Sequence, residues 1–407
     1  MSQTSAAPVL DPLLSEEFRR APHEVIARLR EEDPVHLIPG VNAWYVTRYE
    51  DVRRLFTDPA VTNDQRAYEH YQAPPEGSYR RWMADNNPFS ADPEQHARLR
   101  RLVSAALTPR AVRRMEDQIA DVVGEFARPL GGRRGVVDLV EAFTGPVPNT
   151  VIGRITGVPP KGDDEVRFRE MAREVISAIS PLLDEEARGR AESSMLELAE
   201  YVRDLAEQRR QEPREDLVSD LVQTYDADDR MTNEEIVMMI AALVAAGTET
   251  TSMGGTLGIR TLLHHRDQLD LLRRDRSRIP NAVMELLRYD FGGAGLPRYA
   301  LRDFELRGRM IEKGQLLLLS FMGAHRDPRV FPDPDRFDVG RDTKDVTIFG
   351  HGPHFCLGAN LAKTELRCMI DAALDFLPPD ARLLEDEIEW SQVMFFRRIE
   401  KLPVHFG

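Results

Sequence analysis

Cysteine is almost missing from this chain: Cys356 and Cys368 are the two present in 407 residues. They have no CxxC spacing and no neighbouring ligand set, so neither a disulfide framework nor a zinc site is expected. Basic charge is in deficit, with 54 Lys and Arg against 68 Asp and Glu and a net charge of −14. Such a surface does not attract phosphate backbones, which argues against nucleic acid as a partner but leaves room for a local basic patch. Long apolar runs are also lacking. The longest, Ile236 to Gly247, falls short of the roughly 20 residues a membrane span needs. The first residues (MSQTSAAPVLDPLL) carry neither the basic segment nor the apolar run of a signal peptide. No membrane contact is expected, and the expected location is cytoplasmic.

What is present is an ordinary globular composition, 42% hydrophobic and 30% charged, with length enough for a large core. Val35–Leu37 and Ala43–Thr47 flank Pro39-Gly40 and read as a hairpin; Tyr49 to Phe56 reads as a short helix. Residues 61–88 are polar and punctuated by Pro74, Pro75 and Gly77, which reads as a long loop of the kind that often binds ligands. Helical patterns follow over 93–107, 109–130, 149–156, 163–179 and 185–211. A flexible stretch near Pro213 and Asp226 precedes the longest helix, 232–264, opened by a Thr232/Glu235 capping box. Helices near 268–274 and 281–289 give way to short strands over 292–319, an irregular Pro-rich stretch over 330–346, and strand-like composition over 388–404. With no repeats and no long linker, residues 1–407 read as one mainly α-helical domain with small β-sheets.

The stretch that carries chemistry is FGHGPHFCLGANLAKTE, Phe349 to Glu365. Glycines and a proline keep the approach to Cys356 out of a helix, so the backbone can wrap the sulfur tightly. A helical pattern begins after Gly358 and runs to Ile370. A thiolate at that helix start would be favoured by the terminal dipole and free N–H groups, and such a loop is how cysteine-ligated haem proteins hold iron. Taken alone, a lone cysteine is more often a packed free thiol. In the long helix, Ala246-Gly247-Thr248-Glu249-Thr250-Thr251 places an acid and alcohols inside an apolar segment. Burying Glu249 is costly without partners, and a local break in the helix is one way to relieve it. Glu285 and Arg288 form an i,i+3 pair, common in itself. His96 and Arg100 share a helix face. Gly292 to Gly295 lacks the ending of a phosphate loop, His264-His265 point apart, and 184–190 reads as a solvated helix start.

Phe349, Gly350, Gly352, His354, Cys356, Gly358, Leu361, Ala362 and Glu365 together reproduce the haem-binding signature of the cytochrome P450 family, which the chain resembles over nearly its whole length. Lys363 departs from the arginine more often found there. The resemblance implies the triangular, mainly helical P450 fold and haem b (iron protoporphyrin IX), with Cys356 as the iron ligand. Phe349, Gly350, Gly358 and Ala246 are then expected to border the haem, and His96, Arg100, Arg298 and His354 to meet its propionates. Glu249 and Thr250 are similar to the acid–alcohol pair that relays protons for dioxygen cleavage, a pair that peroxygenase members usually lack. Glu285 and Arg288 match the buried structural pair.

Substrate contacts implied by family position are Tyr68, Tyr71, Trp82 and Phe89 in the long loop, with Ile179 and Leu183 between helices. Leu243, Ala246, Ala294, Gly295, Leu296, Met394 and Phe395 complete them, each with a plain core-packing alternative. The expected reaction is insertion of one oxygen atom, by hydroxylation or epoxidation, into a bulky, mainly apolar small molecule. The chain looks like actinobacterial-type enzymes that tailor secondary metabolites such as polyketides and macrolides. Oxidative coupling or ring formation on the same fold, or a non-catalytic haem-thiolate sensor or carrier, are the alternatives. Electrons are expected from ferredoxin and ferredoxin reductase, docking on the cysteine side near Arg98, Arg101, Arg110, Lys363 and Arg367. A monomer is expected.

Overall fold

A computed structural model describes residues 11–15, 18, 21–39, 41–88, 93–158, 164–177, 184–223, 231–293, 295–391 and 397–407. In chain order the helices are α1 (Pro22–Glu32), α2 (Tyr49–Leu55), α3 (Tyr79–Asn86), α4 (Pro93–Ser104), α5 (Pro109–Ala127), α6 (Pro146–Thr156) and α7 (Asp164–Ser177). They continue as α8 (Glu185–Gln211), α9 (Leu217–Gln223), α10 (Asn233–His264), α11 (Arg266–Arg274), α12 (Ile279–Tyr289), α13 (Phe321–Ala324) and α14 (Ala359–Phe376). The strands are β1 (Val35–Ile38), β2 (Ala43–Val46), β3 (Val61–Thr62), β4 (Gly135–Asp138), β5 (Leu296–Ala300) and β6 (Phe304–Leu306). After them come β7 (Arg309–Ile311), β8 (Leu316–Leu319), β9 (Arg382–Leu383), β10 (Glu389–Trp390), β11 (Ile399–Lys401) and β12 (Pro403–Phe406).

The core is built around α10. Thr232 accepts from the Glu235 N–H at 3.2 Å while the Glu235 carboxylate accepts from the Thr232 N–H at 2.8 Å, closing the expected capping box. The helix is apolar on nearly all faces and packs against α6, α7, α8, α12 and α14. By length and composition it could cross a membrane, which the short apolar run did not suggest; 78% of its most apolar window is instead buried inside the protein. Its glycines let neighbours approach: a Cβ on Gly255 would sit 2.7 Å from Met369 Cε of α14.

Beside this helical core, five strands form a sheet in the order β1-β2-β8-β5-β3, with β2 and β8 parallel. Alternation along β5 and β8 divides its side chains. Leu317 and Leu319 face the main core, whereas Tyr299, Leu316 and Leu318 face a smaller cluster with Ile26, Leu29 and Tyr45. A second sheet, β4-β12-β9, ties the middle of the chain to its end.

Several elements differ from the sequence reading. Residues 61–88 are not one loop, since α3 forms within them with Ser78 capping the Arg81 N–H at 3.2 Å. The region read as flexible holds α9; α1 and β4 were not anticipated; and α14 runs on to Phe376. Residues 330–346 are irregular, as expected.

Candidate active site

The loop before α14 is shaped by glycine. Gly350 and Gly352 take positive φ, 76° and 75°, a region that side chains disfavour, and a Cβ on Gly352 would strike Thr57 Cγ2 at 2.4 Å. The turn closes when the Cys356 N–H donates to the Phe349 carbonyl at 2.7 Å, and Gly358 caps α14. The Cys356 side chain reaches solvent. Protein packed around the loop nevertheless removes enough water to raise its pKa, outweighing the Gly358 N–H and the charges of Arg100 and Lys363. The helix start does favour the thiolate through the Gly358 N–H, as expected, but burial outweighs it. A bound metal cation is what deprotonates a thiol in such surroundings.

Four basic side chains gather near this loop. The rings of His96 (α4) and His354 lie 4.0 Å apart between centroids, and Asn63 meets His354 Nδ1 at 3.4 Å. Arg100, one turn along α4, donates to the Phe355 carbonyl at 2.6 Å. Arg298 of β5 is buried, donates to the Pro297 carbonyl at 2.8 Å and lies over the Phe56 ring. Burial pulls the Arg298 guanidinium down to about 10. Burial, then His96, Arg298 and Arg100 in that order, pull His354 down to about 4, so these charges feel one another. Among the described residues no carboxylate pairs with Arg100 or Arg298. Basic groups held together without an acid are built for an anionic ligand. Haem fits: its two propionates supply the missing charge beside a cysteine able to take the iron.

In α10 the segment 246–251 stays helical without a break, contrary to the local opening considered from the sequence. The Thr248 and Thr250 hydroxyls donate to the Val244 and Ala246 carbonyls at 2.9 and 2.6 Å. Glu249, 3% exposed, is compensated by arginines: Arg398 NH1 donates to it at 3.1 Å and Arg173 Nε lies 3.5 Å away.

A family model described as Cytochrome P450 matches residues 17–376. The chain belongs to the cytochrome P450 family. It is similar to the cytochrome P450 monooxygenase PikC of Streptomyces venezuelae, with 34% identity covering 99% of this chain and 95% of that protein. Identity to the 6-deoxyerythronolide B hydroxylase of Saccharopolyspora erythraea is 34%, over 96% and 98% of the two chains. For the mycinamicin IV hydroxylase/epoxidase of Micromonospora griseorubida it is 36%, over 92% and 93%. The crystal structure of CalO2 superposes with a TM-score of 0.87 at 32% identity, covering 98% of both chains. This P450 is an oxidoreductase whose cofactor is haem b.

The remaining sequence candidates are distributed as follows. In this P450 Glu285 and Arg288 are a fully buried bidentate pair at 2.6 and 3.0 Å. Arg288 also donates to the His325 and Pro334 carbonyls, and Glu285 accepts from Arg341 Nε and the Asp338 N–H, so the pair pins the 330–346 stretch. Leu243 and Leu296 are half-buried against the main core. A Cβ on Gly295 would lie 3.1 Å from the Leu319 carbonyl. Trp82 packs on the core under Arg203 of α8, and Tyr71 is half-buried. Tyr68 packs on Tyr299 and the smaller cluster, on the face of the sheet opposite Leu317, the register partner of Arg298. Phe89, Ile179, Leu183, Ala294, Met394 and Phe395 lie outside the described residues. Of the expected docking cations, Arg98 pairs with Glu235 and Arg367 with Glu116, whereas Arg101 and Arg110 are exposed. Lys363 lies over the Phe349 ring.

Sequence reasoning missed Arg173, Arg398 and Glu400 around Glu249. Nothing local marks them, because they come from α7 and from the start of β11. The only available signal was chemical: a buried acid in an apolar helix requires a cationic partner from elsewhere.

Proposed function

We propose that this P450 inserts one oxygen atom, by hydroxylation or epoxidation, into a bulky, mainly apolar molecule of polyketide or macrolide type. The observation that carries the haem assignment to particular residues is the acid-free cluster of His96, Arg100, Arg298 and His354 beside the Cys356 loop. In this reading Cys356 ligates the iron, the cluster holds the propionates, and Phe349, Gly350, Gly358 and Ala246 border the ring. Haem, when bound, supplies the activation of dioxygen. The chain itself positions the substrate and moves protons. Glu249 would take up protons from the solvent side, and the Thr250 hydroxyl, released from the Ala246 carbonyl, would pass them into the site beside α10. Trp82, Tyr71, Leu243, Gly295 and Leu296 offer an apolar wall.

The substrate class is supported by the relatives named for 6-deoxyerythronolide B and mycinamicin IV. Electrons from a ferredoxin and its reductase fit the exposed Arg101 and Arg110 near the cysteine side; such docking weakens as salt screens it.

An optical titration of the haem-loaded protein with macrolides, linear polyketides, terpenoids and fatty acids tests the reading. A low-to-high-spin change with a macrolide or polyketide is expected. A change confined to terpenoids or fatty acids would overturn the substrate class.

A further inference from the structure

Glu249 is one corner of a closed ring of alternating charge. Arg398 NH1 donates to Glu249 Oε2 at 3.1 Å, while the same guanidinium gives Nε and NH2 to Glu400 Oε1 at 3.0 and 2.5 Å. The other Glu400 oxygen lies 3.1 Å from Arg173 NH1, and Arg173 Nε returns to Glu249 Oε1 at 3.5 Å. Two positive and two negative groups therefore share one site, drawn from α7, α10, Arg398 just before β11 and Glu400 within β11. Side-chain exposure rises around the ring, from 3% at Glu249 and 9% at Arg398 to 28% at Glu400 and 31% at Arg173. The buried acid thus communicates with solvent through the other corners.

The ring is unequal. Glu400 takes the fork of Arg398 with two hydrogen bonds and also reaches Arg173, leaving Glu249 with one hydrogen bond and one longer contact. When Glu249 gains a proton, both arginines still face the Glu400 carboxylate, so one excess positive charge remains in this poorly solvated place rather than two. Without Glu400, two guanidiniums would face one carboxylate and hold it ionised and fixed.

We propose that Glu400 is a positioning residue for proton delivery: by sharing Arg173 and Arg398 with Glu249 it leaves that acid free to take up and release protons. The inference rests on the reading of Glu249 and Thr250 as the proton relay. With Glu400 charged, the ring carries no net charge when Glu249 is ionised and a single positive charge when it is protonated; without Glu400 these become one and two. Arg173 on α7, with Arg398 just before β11 and Glu400 within it, are the charged groups that face Glu249 among the described residues.

The test needs no known substrate. Haem-loaded enzyme is reduced by NADPH through plant ferredoxin and its reductase, and consumed dioxygen is divided between peroxide (two electrons, two protons) and water (four electrons, four protons). Glu400→Gln is expected to raise the ratio of peroxide to water about tenfold, which corresponds to about 1.4 kcal/mol on the barrier to proton delivery. It is also expected to enlarge the solvent isotope effect on water formation. Arg173→Gln combined with Glu400→Gln removes one charge of each sign and is expected to restore the ratio, a rescue that a merely structural role of Glu400 would not give. Independently of turnover, the infrared carboxyl stretch that Glu249→Gln abolishes should appear at lower pH in Glu400→Gln than in the parent protein.

An unchanged ratio in Glu400→Gln, alongside raised peroxide in Thr250→Ala and Glu249→Gln, would overturn the inference and leave the relay standing. Failure of the double variant to recover would overturn the charge-sharing account. Unchanged ratios in Thr250→Ala and Glu249→Gln would overturn the relay itself.

Discussion

Arg298 is buried with no acid beside it among the described residues, and its guanidinium is held down to about 10 by desolvation. A cation in such a place costs free energy until an anion arrives. Arg298→Met should therefore stabilise the haem-free protein, by about 1–3 kcal/mol in urea unfolding, while weakening haem retention against apomyoglobin. A variant that loses stability without haem would show that Arg298 serves packing first. The sequence made Arg298 visible only by resemblance, because a lone arginine in a strand is ordinarily a solvated charge. Its isolation from carboxylates is a fact of the folded molecule.

At the level of elements, the residues leading into β11 are set against α10 and the chain after α12 by one glycine. The Arg397 N–H donates to the Gly292 carbonyl at 2.8 Å, and a Cβ on Gly292 would lie 2.0 Å from the Arg397 carbonyl oxygen and 2.4 Å from Met253 Sδ. The Gly292–Gly295 stretch, no phosphate loop by its sequence, starts with a glycine that close packing requires. Arg397 pairs with buried Asp290 at 2.6 Å, and Arg398, the next residue, holds Glu249. Gly292→Ala should push this strand outward, costing about 1–3 kcal/mol in thermal or urea unfolding. It should also raise the share of peroxide, because Arg398 moves with its neighbour. Full stability with unchanged peroxide would show that the strand tolerates the shift. None of this coupling is written in local pattern, since residues 290–292 and 397–398 meet only in three dimensions.

Across the whole molecule, two buried groups oppose each other in pH. Burial raises the Glu365 carboxyl of α14 to about 8, and its Oε1 has no hydrogen-bond partner. An acid that stays protonated in the fold but ionises at about 4.5 when unfolded stabilises the protein fully below 4.5 and loses that contribution as pH rises towards 8. His325 behaves in the other sense. Burial and the Arg288 charge pull it down to about 3, and its Nε2 accepts the Thr347 N–H at 3.1 Å. The unfolded chain binds a proton near 6.5 that the fold refuses, so stability falls as pH drops from 6.5 towards 3. Unfolding free energy should therefore decline on both sides of mildly acidic pH. Glu365→Gln is expected to remove the decline between 4.5 and 8; an unaltered slope in that variant would assign it to other groups.

The sequence by itself determined what local pattern can encode. The glycine-rich cysteine loop, the capping box at Thr232, the helical periodicities and the Glu285/Arg288 spacing all involve residues close along the chain. Their conformations follow from φ preferences, caps and i,i+3 contacts. Family resemblance then added the identity of the fold. Only the tertiary structure decided which distant charges meet. Glu249 drew its partners from residues 173 and 398, and β4 found β12 across more than half the chain. Tyr68 was left on the outer face of the sheet. The physical reason is that a buried charge or an unpaired strand specifies the kind of partner it requires and says nothing of where in the chain that partner lies.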